Sequence, residues 1–176
     1  MWQMIFVGGI HGVGKTYLCD LICSKIEAVH FTASNLIDNE IKKSGIGKRD
    51  LNYLDNQRIL VQAVKNRGVR EKQTLVDGHF CLSVSGKNFI DIPLAVFEDM
   101  NLKGVIVLKD DVTKIKKRLK DRKGGENDDL KFLENFQKRE VEWAQHVCES
   151  LSIRILIATP NEEELILNFI ASINIK

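Results

Sequence analysis

The chain has 176 residues, of which 44% are hydrophobic and 28% are charged, and its formal net charge of +2 is close to neutral. This size and balance predict a single globular domain over residues 1–176 and exclude a largely disordered chain. A near-neutral charge gives no indication of a nucleic-acid partner, and no apolar run is long enough to cross a membrane.

The opening of the chain predicts a strand, a glycine loop and a helix. The apolar run from Met4 to Val7 stops at Gly8, which is typical of a buried strand that ends in a turn. After Lys15 the large apolar residues return at helical spacing, at Leu18, Leu21, Ile22 and Ile26.

The glycine loop fits a phosphate-binding motif, the P-loop. Residues 9–16, Gly-Ile-His-Gly-Val-Gly-Lys-Thr, match the pattern G-x-x-x-x-G-K-[ST] at every specified position. Glycines let backbone N–H groups turn toward phosphate oxygens, Lys15 reaches the β- and γ-phosphates, and the Thr16 hydroxyl is placed to bind Mg²⁺. The alternative is a turn that merely connects strand and helix. We expect ATP and Mg²⁺ to be bound here, by Gly9, His11, Gly12, Val13, Gly14, Lys15, Thr16 and Tyr17.

The rest of the chain predicts strands and helices in alternation. Short apolar runs predict four further strands, near residues 29–32, 73–77, 104–109 and 153–157. Apolar periodicity predicts helices near residues 36–43, 51–66 and 129–151, and a short one within 89–100. Capping residues predict the starts of three helices: Ser34 before the helix at 36–43, Asp110 or Asp111 before a helix that runs to residue 122, and a capping box of Thr159 and Glu162 before the last helix. This alternation indicates an α/β P-loop NTPase fold with a five-stranded parallel sheet flanked by helices.

One acidic residue is expected to support the metal. Asp77 follows an apolar run and so lies at the carboxyl end of a predicted strand. Ligands of open α/β sheets bind at that edge, where an aspartate can hold Mg²⁺ together with Thr16. The alternative is an ordinary aspartate in a turn. His79, two positions on, is a candidate to orient water or phosphate, although a lone histidine is more often structural.

A basic stripe follows the fourth predicted strand. Lys114, Arg118 and Arg122 are spaced four apart and therefore share one face of a helix. Such a stripe can be a solvated face near a helix C-terminus, or it can neutralise a polyphosphate. Because a P-loop precedes it, we favour the second interpretation for Arg118 and Arg122 and expect Lys114 to be on the surface.

Three segments also suggest a family. They are residues 8–16, the run Thr74-Leu75-Val76-Asp77-Gly78-His79 with its D-x-H ending, and the stretch from Gly104-Val105-Ile106-Val107-Leu108 through Lys117-Arg118-Leu119 to Lys138-Arg139-Glu140. In these segments the chain resembles archaeal-type adenylate kinases and the related eukaryotic nuclear adenylate kinase/ATPase proteins. The resemblance covers nearly the whole chain.

The resemblance implies a nucleoside-monophosphate-kinase fold, with ATP as the donor and AMP as the expected acceptor. It implies an acceptor-binding region over residues 33–66 and a short lid over residues 122–129. The lid of this chain is acidic where the archaeal enzymes carry arginines, and an arginine expected near Asn52 is absent. The candidate acceptor contacts are Ser34, Arg49 and Arg58.

Arg139 is a further catalytic candidate under this resemblance, beside Arg118 and Arg122. Phe136 and Trp143 flank it at spacings of three and four, which places Arg139 near the edge of the core. An arginine there needs an anionic partner. That partner is either a carboxylate or the transferred phosphoryl group.

Two other functions share the same donor site. An ATPase would use water as the acceptor to drive a partner protein, and a regulatory module would bind nucleotide with negligible turnover. Residues 1–10 lack the features of a secretory signal, so we expect a cytoplasmic protein whose four cysteines are reduced thiols.

Overall fold

The computed structural model describes residues 3–45, 52–67, 73–84, 88–122 and 129–174. Its strands are β1 (Gln3–Gly8), β2 (Ala28–Thr32), β3 (Gln73–Asp77), β4 (Cys81–Val84), β5 (Asn88–Asp91), β6 (Gly104–Leu108) and β7 (Arg154–Ala158). Its helices are α1 (Lys15–Lys25), α2 (Ala33–Ser44), α3 (Tyr53–Arg67), α4 (Leu94–Asp99), α5 (Val112–Asp121), α6 (Leu130–Leu151) and α7 (Glu163–Asn174). Arg49 and most of the predicted lid, residues 123–128, lie outside the described ranges.

Five strands form one parallel sheet in the order β2-β3-β1-β6-β7. Successive side chains of the central strand β1 point to opposite faces, so Ile5 packs in one apolar cluster and Phe6 in another. Helices α1 and α7 contribute to the first cluster, and α3, α4 and α6 contribute to the second. The predicted α/β P-loop fold with a five-stranded parallel sheet is therefore confirmed.

The sequence interpretation missed an antiparallel hairpin. Strands β4 and β5 pair from Cys81 with Asp91 to Val84 with Asn88. The stretch 89–100, where we predicted only a short helix, thus begins as a strand, and its helix α4 starts after Pro93. The two strands are only four residues long, which is too short for apolar alternation to distinguish a strand from a loop.

Helix starts agree with the sequence at two sites and differ at a third. Asp111 caps α5 by accepting from the backbone N–H groups of Thr113 and Lys114, and the N–H of Thr159 donates to Glu162 at 2.7 Å. Ser34 is not a cap, because α2 begins directly after β2 with Thr32 at the N-cap position. All four cysteines are free thiols, and none of the described helices is long and apolar enough to span a membrane.

Candidate functional site

The phosphate-loop motif forms the turn between β1 and α1. Gly9, Gly12 and Gly14 have φ values of 141°, 77° and 108°, in the region that favours glycine. A Cβ atom on Gly9 would lie 2.7 Å from the carbonyl oxygen of Leu108, so the space also requires glycine. Because the first turn of α1 starts at Lys15, its free N–H groups face the loop.

Lys15 lies inside this loop and is only 9% exposed. Its ammonium donates to the carbonyl oxygens of Gly9 at 2.5 Å and Ile10 at 3.2 Å. Burial lowers the pKa of Lys15, while the negative charges of Glu140 and Asp77 oppose that shift. The two carboxylates favour the charged form of Lys15, and the ammonium is a point charge that can bind an anionic ligand.

Thr16 and Asp77, which we expect to hold Mg²⁺, meet at the edge of the sheet. The Thr16 hydroxyl donates to Oδ2 of Asp77 at 3.0 Å, because β3 pairs with β1 and ends beside the first turn of α1. Asp77 is 2% exposed. A hydroxyl and a carboxylate are hard oxygen ligands, so this pair fits Mg²⁺ chemically.

A residue that we did not single out, His30, fixes the Asp77 carboxylate. Its Nε2 lies 2.8 Å from Oδ2 of Asp77 and its Nδ1 lies 2.7 Å from Oδ1 of Asp20. Burial alone would lower the pKa of His30, but its hydrogen bonds to the two carboxylates raise the pKa above its ordinary value. The His30 ring thus links β2, β3 and α1 beneath the phosphate loop.

Glu140 is a second residue whose role the sequence interpretation missed. Its carboxylate is 1% exposed and accepts from the backbone N–H groups of Gly9 at 3.0 Å, Phe80 at 2.8 Å and Cys81 at 2.9 Å. Burial raises the pKa of Glu140, and the N–H donors and Lys15 oppose that shift. A signal existed, since Glu140 falls within the buried stripe of α6 that runs Leu133, Phe136, Glu140, Ala144 and Val147.

A cavity of about 330 Å³ opens beside the loop. Its polar end includes Lys15, Thr16, Asp77 and His79. Its apolar walls come from β1, α2, α3, β4 and α4, and include Phe6, Ile37, Leu60, Leu82, Val96 and Phe97. Ser34 and Tyr17, both predicted site residues, also line the cavity, and the Tyr17 side chain is largely exposed.

His11 and His79 lie together at the polar end, with ring centroids 4.3 Å apart. Burial holds the pKa of His79 well below its ordinary range, and the nearby Lys15 and His11 lower it further. His79 is therefore a neutral ring at physiological pH. Its Nδ1 is buried and has no hydrogen-bond partner within the described part of the chain.

The predicted arginines that the structure describes have separate environments. Arg122 lines the cavity, whereas Arg118 bonds to Asp110 at 2.5 Å and to the carbonyl oxygen of Gly12 at 3.3 Å behind the loop. Arg139 forms a two-bond ion pair with Asp91 of the hairpin and lies over the Trp143 ring.

The predicted acceptor contact Arg58 is not among the described residues that line the cavity. Arg58 is 83% exposed at its side chain and lies 3.8 Å from Asp55, and Arg49 is outside the described residues. Among the predicted arginines, Arg122 is thus the one that the described structure places at the cavity wall.

Comparison with known protein families gives a match over most of the chain. The family described as an AAA domain matches residues 8–137, which include the phosphate loop, Asp77 and Arg122. The chain belongs to this family. It is therefore a P-loop nucleotide-binding domain of the kinase and ATPase type. The comparison with curated proteins found no match.

Proposed function

We propose that this AAA domain is a phosphotransferase that moves the γ-phosphoryl group of MgATP to a nucleoside monophosphate, and we expect AMP to be the acceptor. The cavity is the observation that supports this proposal. Lys15, Thr16 and Asp77 lie at its polar end, and it continues past them between α2, α3 and α4. An ATPase uses water as the acceptor and needs no such space, whereas a kinase must hold a second substrate beside the phosphates.

Each residue at the polar end has a proposed role. MgATP supplies the phosphoryl group and the metal charge that offsets charge on its oxygens. Lys15 and the N–H groups of the loop hold the donor phosphates, and Thr16 and Asp77 hold the metal. Arg122 neutralises charge at the cavity wall, and the neutral His79 ring donates or accepts a hydrogen bond without adding charge.

The contacts support different roles for the other two arginines. Arg118 donates a hydrogen bond to the carbonyl oxygen of Gly12, so we propose that it positions the phosphate loop. Arg139 holds the β4–β5 hairpin through Asp91, so we propose a structural role. On the acceptor side, Ser34 remains a proposed contact because it lines the cavity.

A product assay tests the proposed reaction. ATP and Mg²⁺ are incubated with a panel of nucleosides and nucleotides, and ADP and inorganic phosphate are measured separately. We expect ADP formation that depends on AMP and is abolished in Lys15→Ala, because the contact to the β- and γ-phosphates is lost. Lys117→Ala, an exposed lysine of α5, is the matched control.

The other outcomes identify the other functions. Phosphate release that is independent of every acceptor would make the chain an ATPase. Tight ATP binding with neither product would make it a regulatory module. Asp77→Asn serves as a second variant and should lower kcat most at limiting Mg²⁺, since its charge supports the metal.

A further inference from the structure

Gln57 is a polar residue at a position that packing alone would fill with an apolar one. It lies on α3 one turn before Leu60 and Val61, which are both core residues, and it is 6% exposed. Its Oε1 atom is buried and has no hydrogen-bond partner within the described ranges. A buried oxygen without a partner destabilises the fold, so its presence calls for an explanation.

The surroundings of Gln57 explain why a buried polar side chain is present there. Gln57 lines the cavity beside the phosphate loop, among apolar walls that include Ile37, Leu60 and Val96. Apolar walls favour an apolar body such as an aromatic ring, and a primary amide on such a wall offers an acceptor and a donor side by side. That pair matches the edge of a heterocycle that carries an N–H donor next to a ring nitrogen, as a glutamine matches adenine.

We propose that Gln57 is the specificity-determining residue of the acceptor site and that it selects a nucleobase with an exocyclic amino group next to a ring nitrogen. This inference rests on the proposed function, because it takes the cavity as the acceptor site. Ser34 and Thr32 line the same cavity, and Lys15 lies at its polar end. The base therefore lies against α3 while the phosphate of the acceptor faces the loop.

Direct binding of mononucleotides tests the inference without requiring turnover. AMP and purine riboside monophosphate, which lacks the amino group, are titrated by calorimetry in the presence of a non-transferable MgATP analogue. For the parent we expect AMP to bind about tenfold or more tightly than the analogue without the amino group. In Gln57→Leu this ratio should fall to about one, with the affinity for the MgATP analogue unchanged.

Two further measurements separate specificity from structure. Gln57→Leu should melt at or above the parent temperature, because the substitution removes an unpaired buried oxygen. Gln62→Leu, an exposed position on the same helix, should keep the parent ratio. A Gln57→Leu variant that melts lower and still discriminates by the same ratio would overturn the inference.

The failure of the inference and the failure of the proposed function have different signatures. A parent that binds the MgATP analogue but neither mononucleotide overturns the inference and leaves the donor site intact. A parent that binds AMP with the expected ratio but transfers no phosphoryl group supports the inference while the phosphotransferase proposal fails.

Discussion

Arg139 illustrates how the structure changes the expectation for a single residue. Its guanidinium pairs with Asp91 and lies over Trp143, and its side chain is 39% exposed. A partly exposed pair of this kind contributes about 1 kcal/mol, which corresponds to a melting-temperature change of about 2–4 °C in a chain of this size. We therefore expect Arg139→Met to melt about 2–4 °C lower and to keep phosphoryl transfer.

Calorimetry and the product assay together check this prediction. Lys138→Met is the control, since Lys138 is exposed and lies 3.7 Å from Glu142 on the same helix. If kcat instead falls by about 10³-fold while the melting temperature is unchanged, Arg139 acts in catalysis. Arginines that neutralise the charge of the transferred phosphoryl group have effects of that order.

Glu140 is expected to contribute more to the stability of the fold than Arg139 does. Both of its oxygens accept hydrogen bonds, from Gly9 and Phe80 on one side and from the backbone and thiol of Cys81 on the other. A glutamine would place its amino group against at least one of these donors in either orientation. Glu140→Gln should therefore cost about 2 kcal/mol and lower the melting temperature by about 4–8 °C.

The same variant should also weaken ATP binding, because the Gly9 N–H group is fixed by Glu140 at the start of the phosphate loop. Thermal melting and nucleotide titration measure the two effects. Glu134→Gln, an exposed position on α6, should change neither. Parent-like stability in Glu140→Gln would show that the carboxylate is dispensable for the loop.

At the scale of elements, His30 joins β2 and β3 to α1 through a pH-dependent contact. The hydrogen bonds to Asp77 and Asp20 raise the pKa of His30 in the folded chain above its unfolded value of about 6.5. The folded state therefore holds the proton more tightly. The stability from this contact is fully present below the unfolded pKa and is lost as the pH rises through the folded pKa.

We therefore compare the parent with His30→Gln by chemical unfolding across pH, with a chelator present. The free energy of unfolding of the parent should exceed that of the variant by about 1–2 kcal/mol near pH 5.5. This difference should shrink as the pH rises toward 8.5. His146→Gln, a substitution of an exposed histidine on α6, is the control. A difference that grows with pH would contradict the assigned direction.

How far the sequence predicts these elements depends on whether a signal is local. The phosphate loop follows from a motif that is readable along the chain, and the position of Asp77 at the end of β3 follows from the apolar run before it. The pairing of β3 with β1, which brings Asp77 to Thr16, is given by the structure. The β4–β5 hairpin has strands of four residues, too short for periodicity to identify. The positions of Arg139 and Glu140 depend on which neighbouring elements pack against α6, and helical spacing alone does not specify those partners.

At the scale of the whole molecule, the cavity is built by two groups of elements around the carboxyl ends of β1 and β3. The loop and α1 form the proposed donor side with Lys15, and α2 and α3 form the opposite side with Ser34 and Gln57. A ligand that reaches both sides should stabilise the fold more than a ligand that occupies one. This geometry leads to a prediction that separates a kinase from an ATPase.

Diadenosine pentaphosphate carries two adenosines joined by five phosphates and so covers the donor and the acceptor positions together. Because linking two ligands makes the second binding event intramolecular, it should bind far more tightly than ATP or AMP alone. A ligand at one hundred times its dissociation constant stabilises the folded state by about 2.7 kcal/mol, or about 5–10 °C in melting temperature here. At equal concentrations with Mg²⁺, we expect the linked ligand to raise the melting temperature by several degrees more than ATP and AMP mixed.

Variants on each side assign the effect to the two halves of the cavity. Lys15→Ala should remove most of the stabilisation by the linked ligand and by ATP, because both use the phosphate loop. Gln57→Leu should weaken binding of the linked ligand by about the same tenfold factor as it weakens AMP, and so reduce its advantage over ATP, while leaving the ATP effect unchanged. An ATPase that holds only the donor would show no advantage of the linked ligand in the parent. That result, measured before any turnover, would remove the acceptor site and the kinase proposal together.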